Sequence, residues 1–252
     1  MKNIAETPLK YTGSNVVYPK ATEDALGLIN LLFDFDDQVA AGVNGRMVDN
    51  FQYDMPIVLS EGAAYAHIRP LPANDHSNSG MVMCINPAHI TPSNGVSNAT
   101  VDVYRTFLFE LDEGTLQEQA SFWKRTKIPA SAMIYTGGKS IHVLLTLEEP
   151  FNSLELYQAF HRTIVQRLSL NFGARPDADT CQPNRTTKIP GFNRPTKDGQ
   201  PGQDAKLLML DRRISIEEFK QWQALIGVTQ EMIKLNVSQP KRPWQGSLKD
   251  KA

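Results

Sequence analysis

Apolar positions along the chain fall into two kinds of run. In "YRTFLFELD", "SAMIY", "SIHVLLTL" and "AKLLML" they form short, β-rich segments bounded by turn residues, which predicts strands. In "GTLQEQASFWKR", "LELYQAFHRTIVQRLSL" and "SIEEFKQWQAL" they recur every three or four residues, which predicts helices. Thr115 and Ser153 stand where helix N-caps are expected. Gly137-Gly138 is the turn between the second and third strands. From residue 104 to 210 the order is therefore β-α-β-β-α-β.

That order is the split βαβ, RRM-like or ferredoxin-like pattern, and it predicts an α/β (α+β) fold. In it the first and third strands are central, antiparallel neighbours, so the end of the first lies beside the start of the third. Upstream, Thr22 is a candidate cap for a helix with apolar Leu28, Ile29, Leu31, Leu32 and Phe35. "AYAHIR" and "MVMCINP" read as strands, and residues 87–100 as a loop. The predicted organisation is an N-terminal α/β unit over 1–100, an RRM-like unit over 101–228, and a polar, weakly basic tail or linker over 229–252.

Alternation also sorts the polar residues. Phe107, Phe109 and Leu111 face one way, so Glu110 and Asp112 share the other face, about 7 Å apart. Ser140 and His142 share a face of the third strand, with Lys139 just before them. "GGKS" is not a phosphate-binding P-loop: Met133 stands where the first glycine is needed, and a strand follows where a helix is required. Topology thus brings two carboxylates beside Lys139, Ser140 and His142. Paired carboxylates suit two hard divalent cations, Mg2+ or Mn2+. Lys139 and His142 suit triphosphate oxygens, and Ser140 can donate a hydrogen bond to them. The stretch "GARPDADTCQPNRTTKIPGFNRP" offers Asp177 or Asp179 as a third acid, and Arg185, Lys188 and Arg194 as phosphate partners.

Composition changes this picture little. The 252 residues are 41% apolar and 21% charged, with a formal net charge of −1, ordinary for a globular protein. Two cysteines support neither a disulfide framework nor a zinc cluster and point to a reducing compartment. No run reaches membrane-span length, and the first residues show no secretory h-region. Basic residues concentrate locally: seven Lys or Arg against three acids between Arg185 and Arg213.

Taken in order, "CINP", "FLFELDEG", "IPASAMIYTGGKSIHVLL" and "DADTCQPNRTTKIPGFNR" resemble the archaeo-eukaryotic primase superfamily, particularly its primase-polymerase branch. The resemblance spans roughly residues 81 to 200. It implies an RRM-like catalytic unit against a smaller N-terminal α/β unit, with the active site in the cleft between them. It implies that Glu110, Asp112 and Asp177 bind metal. Family spacing favours Asp177, eight residues before Arg185, over Asp179. His142, Ser140, Lys139, Arg185 and Lys188 would hold the incoming nucleotide, with Arg194 near them. The implied activity is template-directed DNA primase and polymerase. The implied partners are a DNA template, NTP or dNTP, and a helicase or further domains of a longer replication protein. A cytoplasmic setting in a prokaryote, plasmid or phage goes with it. One departure is Glu110, where the family's first acid is usually Asp.

Two other readings are distinguishable. A non-catalytic single-strand-binding RRM-like module needs exposed aromatics on its central strands, whereas Phe107 and Phe109 are expected in a core. A rolling-circle nuclease needs a His-x-His pair, which "SIHV" does not provide.

Overall fold

The structure, a computed structural model, describes residues 20–34, 36–43, 46–52, 81–90, 96–193 and 202–238. The predicted strand "AYAHIR", Phe35 and Arg194 lie outside them.

Two antiparallel four-stranded sheets form an α+β fold. Helix α1 (Lys20–Leu32) precedes β1 (Gln38–Val43), β2 (Arg46–Gln52) and β3 (Met81–Cys84). Then come β4 (Tyr104–Phe109), α2 (Leu116–Thr126), β5 (Ala132–Tyr135), β6 (Ile141–Phe151) and α3 (Leu154–Phe172). β7 (Thr186–Lys188), β8 (Lys206–Leu210), α4 (Ile216–Leu225) and α5 (Gln230–Ser238) follow. The first sheet has the order β2-β1-β3-β7 and the second β4-β6-β5-β8.

The helix starts follow local chemistry. Thr115 caps α2 and Ser215 caps α4 through reciprocal capping boxes with Glu118 and Glu218. Ser153 caps α3 by accepting the Leu156 N–H. Helix α1 already begins at Lys20, so Thr22, expected as its cap, falls within its first turn.

Both faces of the second sheet are buried. One carries Phe107, Phe109, Val143 and Leu145 against α2, α3 and α4, with Phe107 stacked on Tyr157 at 4.6 Å. The other carries Leu108, Ala132, Ile134 and Leu144 against α1 and the first sheet. The ferredoxin-like sheet order is corrected. β4 and β6 are antiparallel neighbours as expected, but β8 pairs with β5, so β4 is an edge among the described strands.

Side chains cover that edge, where an unpaired strand would otherwise leave bare backbone. The Thr106 carbonyl accepts from Tyr157 Oη at 2.8 Å and from Asn86 Nδ2 at 3.0 Å. Asn86 Oδ1 accepts the N–H groups of Arg105 and Thr106, and its Nδ2 also reaches the Pro183 carbonyl. Fully buried Asn86, just past β3, thus ties the two sheets together. Asp34 adds a second tie, pairing with Arg105 and, at 2.6 Å, with Arg213.

His161 completes the edge. Its Nε2–H donates to the Leu108 carbonyl at 2.8 Å, while its buried Nδ1 has no hydrogen-bond partner among the described residues. Burial holds its pKa down to about 4. The unfolded chain therefore binds a proton below about pH 6.5 that the folded chain refuses. Stability should fall as pH drops from about 6.5 to 4, by roughly 3 kcal/mol. Urea melts across that range check this, and His161→Gln should flatten the dependence.

The segment expected to begin a tail at residue 229 is instead helix α5 up to Ser238. Ile233 and Asn236 are buried, and Asn236 donates to Thr163 Oγ1 on α3 at 2.8 Å. Its apolar positions are too few for period alone to reveal it. The first sheet likewise takes β7 from beyond residue 100, so the predicted boundary there does not separate the strands of the two sheets.

Candidate active site

β4 ends at Phe109, so Glu110 and Asp112 lie just past the strand, while Leu111 still points into the helical core. β6 starts at Ile141, directly after Lys139 and Ser140. Antiparallel pairing of Phe109 with Val143 places the two ends side by side, as topology predicted. Glu110 and His142 continue the face of Leu108 and Leu144, the face that the first sheet covers. They therefore lie where the two sheets meet.

His142 Nε2 is 3.3 Å from Glu110 Oε2, with side-chain exposures of only 12% and 20%. On its other side His142 Nδ1 meets Thr187 Oγ1 of β7 at 3.1 Å, which fixes the ring plane. Burial alone would raise the Glu110 carboxyl. The hydrogen bond and charge of His142, with the charges of Arg185 and Lys139, outweigh it and hold the carboxyl below its ordinary range.

Asp177 joins this pair through the backbone: its N–H donates to the Glu110 carbonyl at 2.9 Å. Its carboxylate accepts the Asp179 N–H at 2.9 Å and stands 3.8 Å from Arg185 Nη2. Burial pushes the Asp177 carboxyl above its ordinary range. The charges of Asp179 and Glu110 add to this, and the Asp179 amide and Arg185 oppose it. Asp179 is exposed and uses its carbonyl to accept Arg185 Nε at 2.8 Å. The loop thus folds Arg185 back beside Asp177.

Lys139 and Asp112 form an outer, exposed pair. Lys139 Nζ donates to the Asp112 carbonyl at 2.8 Å and lies 3.5 Å from its carboxylate. Ser140 is buried, and its carbonyl accepts from the N–H and hydroxyl of Thr136. Lys188 is in β7 opposite Val82. Glu110, His142, Asp177 and Arg185 are therefore gathered, Asp112 and Lys139 stand at the rim, and Arg194 is outside the described residues.

Among the described residues no three His, Cys, Asp or Glu side chains converge on one ion position, and each acid here is paired with a base. The donor chemistry nonetheless fits a hard cation. The carboxylates of Glu110 and Asp177 are both partly buried and close enough for the charge of one to raise the pKa of the other.

Two contributors were not legible in the sequence. Thr187 comes from a three-residue strand without an apolar signal. Gln119, buried on α2, donates from Nε2 to the carbonyls of Lys139 (2.8 Å) and Gly114 (3.2 Å). Its Oε1 accepts the Ile141 N–H at 2.9 Å. It clamps the acid-bearing loop to the Gly-Gly turn. Gln119→Leu should leave those groups unpaired, cost about 2–4 kcal/mol of stability and release Lys139 from Asp112. Urea unfolding and the amide exchange rate of Ile141 check this.

No protein-family model and no curated protein sequence matches the chain. Solved structures do. The primase-polymerase domain of cyanophage S-2L aligns with a TM-score of 0.53 at 16% identity, covering 79% of this chain and 96% of that one. The catalytic domain of primase RepB', solved in complex with initiator DNA, aligns with a TM-score of 0.51 at 13% identity. That alignment covers 88% of this chain and 100% of that one. At these identities the likeness is one of fold: the present chain has the fold shared by the S-2L primase-polymerase domain and the RepB' primase catalytic domain.

Proposed function

We propose that this chain is a template-directed nucleotidyltransferase with DNA primase and polymerase activity. The observation that carries the reading is the grouping of Glu110 and Asp177 with His142 and Arg185 where the two sheets meet. Acids that suit a cation and bases that suit a triphosphate stand within one residue's reach of each other. The likeness in fold to a primase-polymerase and to a primase solved with initiator DNA supports it.

In this reading Glu110, Asp112 and Asp177 would hold Mg2+ or Mn2+. The bound metal would supply Lewis-acid stabilisation for the attacking 3′-hydroxyl and the leaving pyrophosphate. His142 and Arg185 bind phosphate oxygens in the cleft, and Lys139 and Lys188 add positive charge around them. Thr187 keeps the imidazole aimed into the site, and Gln119 keeps Lys139 in place. The template is single-stranded or primed DNA.

Labelled-nucleotide incorporation on a primed template, with Mg2+ or Mn2+ against chelator, tests the reading. Metal-dependent incorporation is expected. DNA binding without incorporation would favour the non-catalytic binding module. The buried aromatics and the covering of both sheet faces already count against that module.

Asp177 and Asp179 separate in the same assay. Asp177→Asn should lower incorporation about 100-fold or more, whereas Asp179→Asn should lower it less than about 10-fold. Equal losses would remove the distinction. Among the described residues no helix is long and apolar enough to cross a membrane.

A further inference from the structure

Three acid–base pairs cross the site: Glu110 with His142 at 3.3 Å, Asp112 with Lys139 at 3.5 Å and Asp177 with Arg185 at 3.8 Å. Each acid is one assigned above to a cation, and each base one assigned to a triphosphate. Building on that reading, we propose that the free protein neutralises its own site, so that divalent ion and nucleotide bind as one coupled exchange. The acids pass to the ion as the bases pass to the phosphates.

The three pairs do not weigh equally. Lys139 and Asp112 are both more than 60% exposed, so water screens their pair and opening it costs little. Arg185 and Asp177 are intermediate, at 37% and 24%. Glu110 and His142 are the most enclosed, and Thr187 holds the ring from behind. Opening that pair for one ligand leaves the other partner uncompensated in largely enclosed surroundings, which is the expensive outcome for such a pair. A triphosphate alone would take His142 and strand Glu110. A cation alone would take Glu110 and strand His142. Both together strand neither.

Such coupling is reciprocal: whatever factor the ion adds to nucleotide affinity, the nucleotide adds to ion affinity. Repulsion between the carboxylates and a triphosphate would also give coupling, without any exchange of partners. The two origins differ in the role of His142. If Glu110 restrains His142, removing the acid frees the base for phosphate even without metal. That gain must then disappear when His142 is absent. Repulsion predicts the same gain with or without His142.

The experiment is equilibrium binding of dATP by calorimetry, without primer or template so that no turnover occurs. It is run in chelator and in Mg2+. Wild-type affinity should rise about 10- to 100-fold with Mg2+. Glu110→Gln should raise the metal-free affinity about 3- to 10-fold, and the gain should vanish in a His142→Ala background. A gain that persists with His142→Ala, or no gain at all, overturns the proposal. Mn2+ binding to the wild-type protein, followed by electron paramagnetic resonance with and without dATP, gives a second measure that needs no variant. Equal Mn2+ affinity in the two conditions also overturns it. If the wild type binds no dATP even with Mg2+, the nucleotidyltransferase reading fails, and this proposal with it.

Discussion

Glu110→Gln should lower primer extension by about 100-fold or more while the protein stays folded. The side chain sits at the end of β4, past the last ladder pair, and its neighbours in the helical core are Phe109 and Leu111 rather than its own carboxylate. What the substitution removes is charge. Gln keeps the shape but offers no anion to hold His142 or to stand beside Asp177. A modest loss of stability near neutral pH should accompany it. The Glu110 pKa is depressed in the folded state, so the ionised carboxyl stabilises the fold above its unfolded pKa. That contribution fades as pH falls through the depressed value. Steady-state extension on a primed template and a thermal melt separate the two effects. Extension within about threefold of wild type would remove Glu110 from the chemistry.

Asn86→Ala should destabilise the protein by about 3–5 kcal/mol, among the largest effects expected of any single polar residue here. The side chain is fully buried and makes four hydrogen bonds. Thr106 O would keep its bond from Tyr157, but the N–H groups of Arg105 and Thr106 and the Pro183 carbonyl would lose theirs. Three buried backbone groups without partners account for the estimate at about 1–2 kcal/mol each. Urea unfolding measures it, and a change below about 1 kcal/mol would mean that solvent or a backbone shift replaces the amide. Because Pro183 precedes Arg185 by two residues, the same variant should also loosen the arginine that faces Asp177.

What the sequence made legible was local. The capping residues Thr115 and Ser153 stand where their spacing placed them, and β4, α2, β5, β6 and α3 follow the predicted order. Glu110 and His142 adjoin because antiparallel neighbours must bring one end beside the other. What was not legible depends on partners far along the chain. β7 is a Thr-Thr-Lys segment that becomes a strand because β3 offers it an edge. β8 reads as an ordinary fourth strand, and nothing in its own residues says that it joins β5 rather than β4. Asn86, Gln119 and Thr187 act through side-chain hydrogen bonds, which leave no periodic trace. Asp177 and Asp179 are chemically alike, and they are told apart by the backbone bond to Glu110, the partial burial of Asp177 and its ion pair with Arg185.

The strand that brings Thr187 into the site also sets the order in which the molecule can be built. On the side away from β1, Val82, Met83 and Cys84 find their partners at Lys188, Thr187 and Thr186. Cys84 Sγ reaches the Asn184 carbonyl, 100 residues further on. During synthesis the first sheet must wait with an open edge while β4, α2, β5, β6 and α3 are made and packed. Such long-range pairing is slow, because the loop entropy is spent before the contact is gained. Asp177, Arg185 and Thr187 all belong to the segment that ends this wait. The pairing of Glu110 with His142 can form early, but the rest of the site arrives only with the last strand of the first sheet. A nascent or misfolded chain therefore lacks half of its polar cluster, and the appearance of the complete site reports that folding has finished.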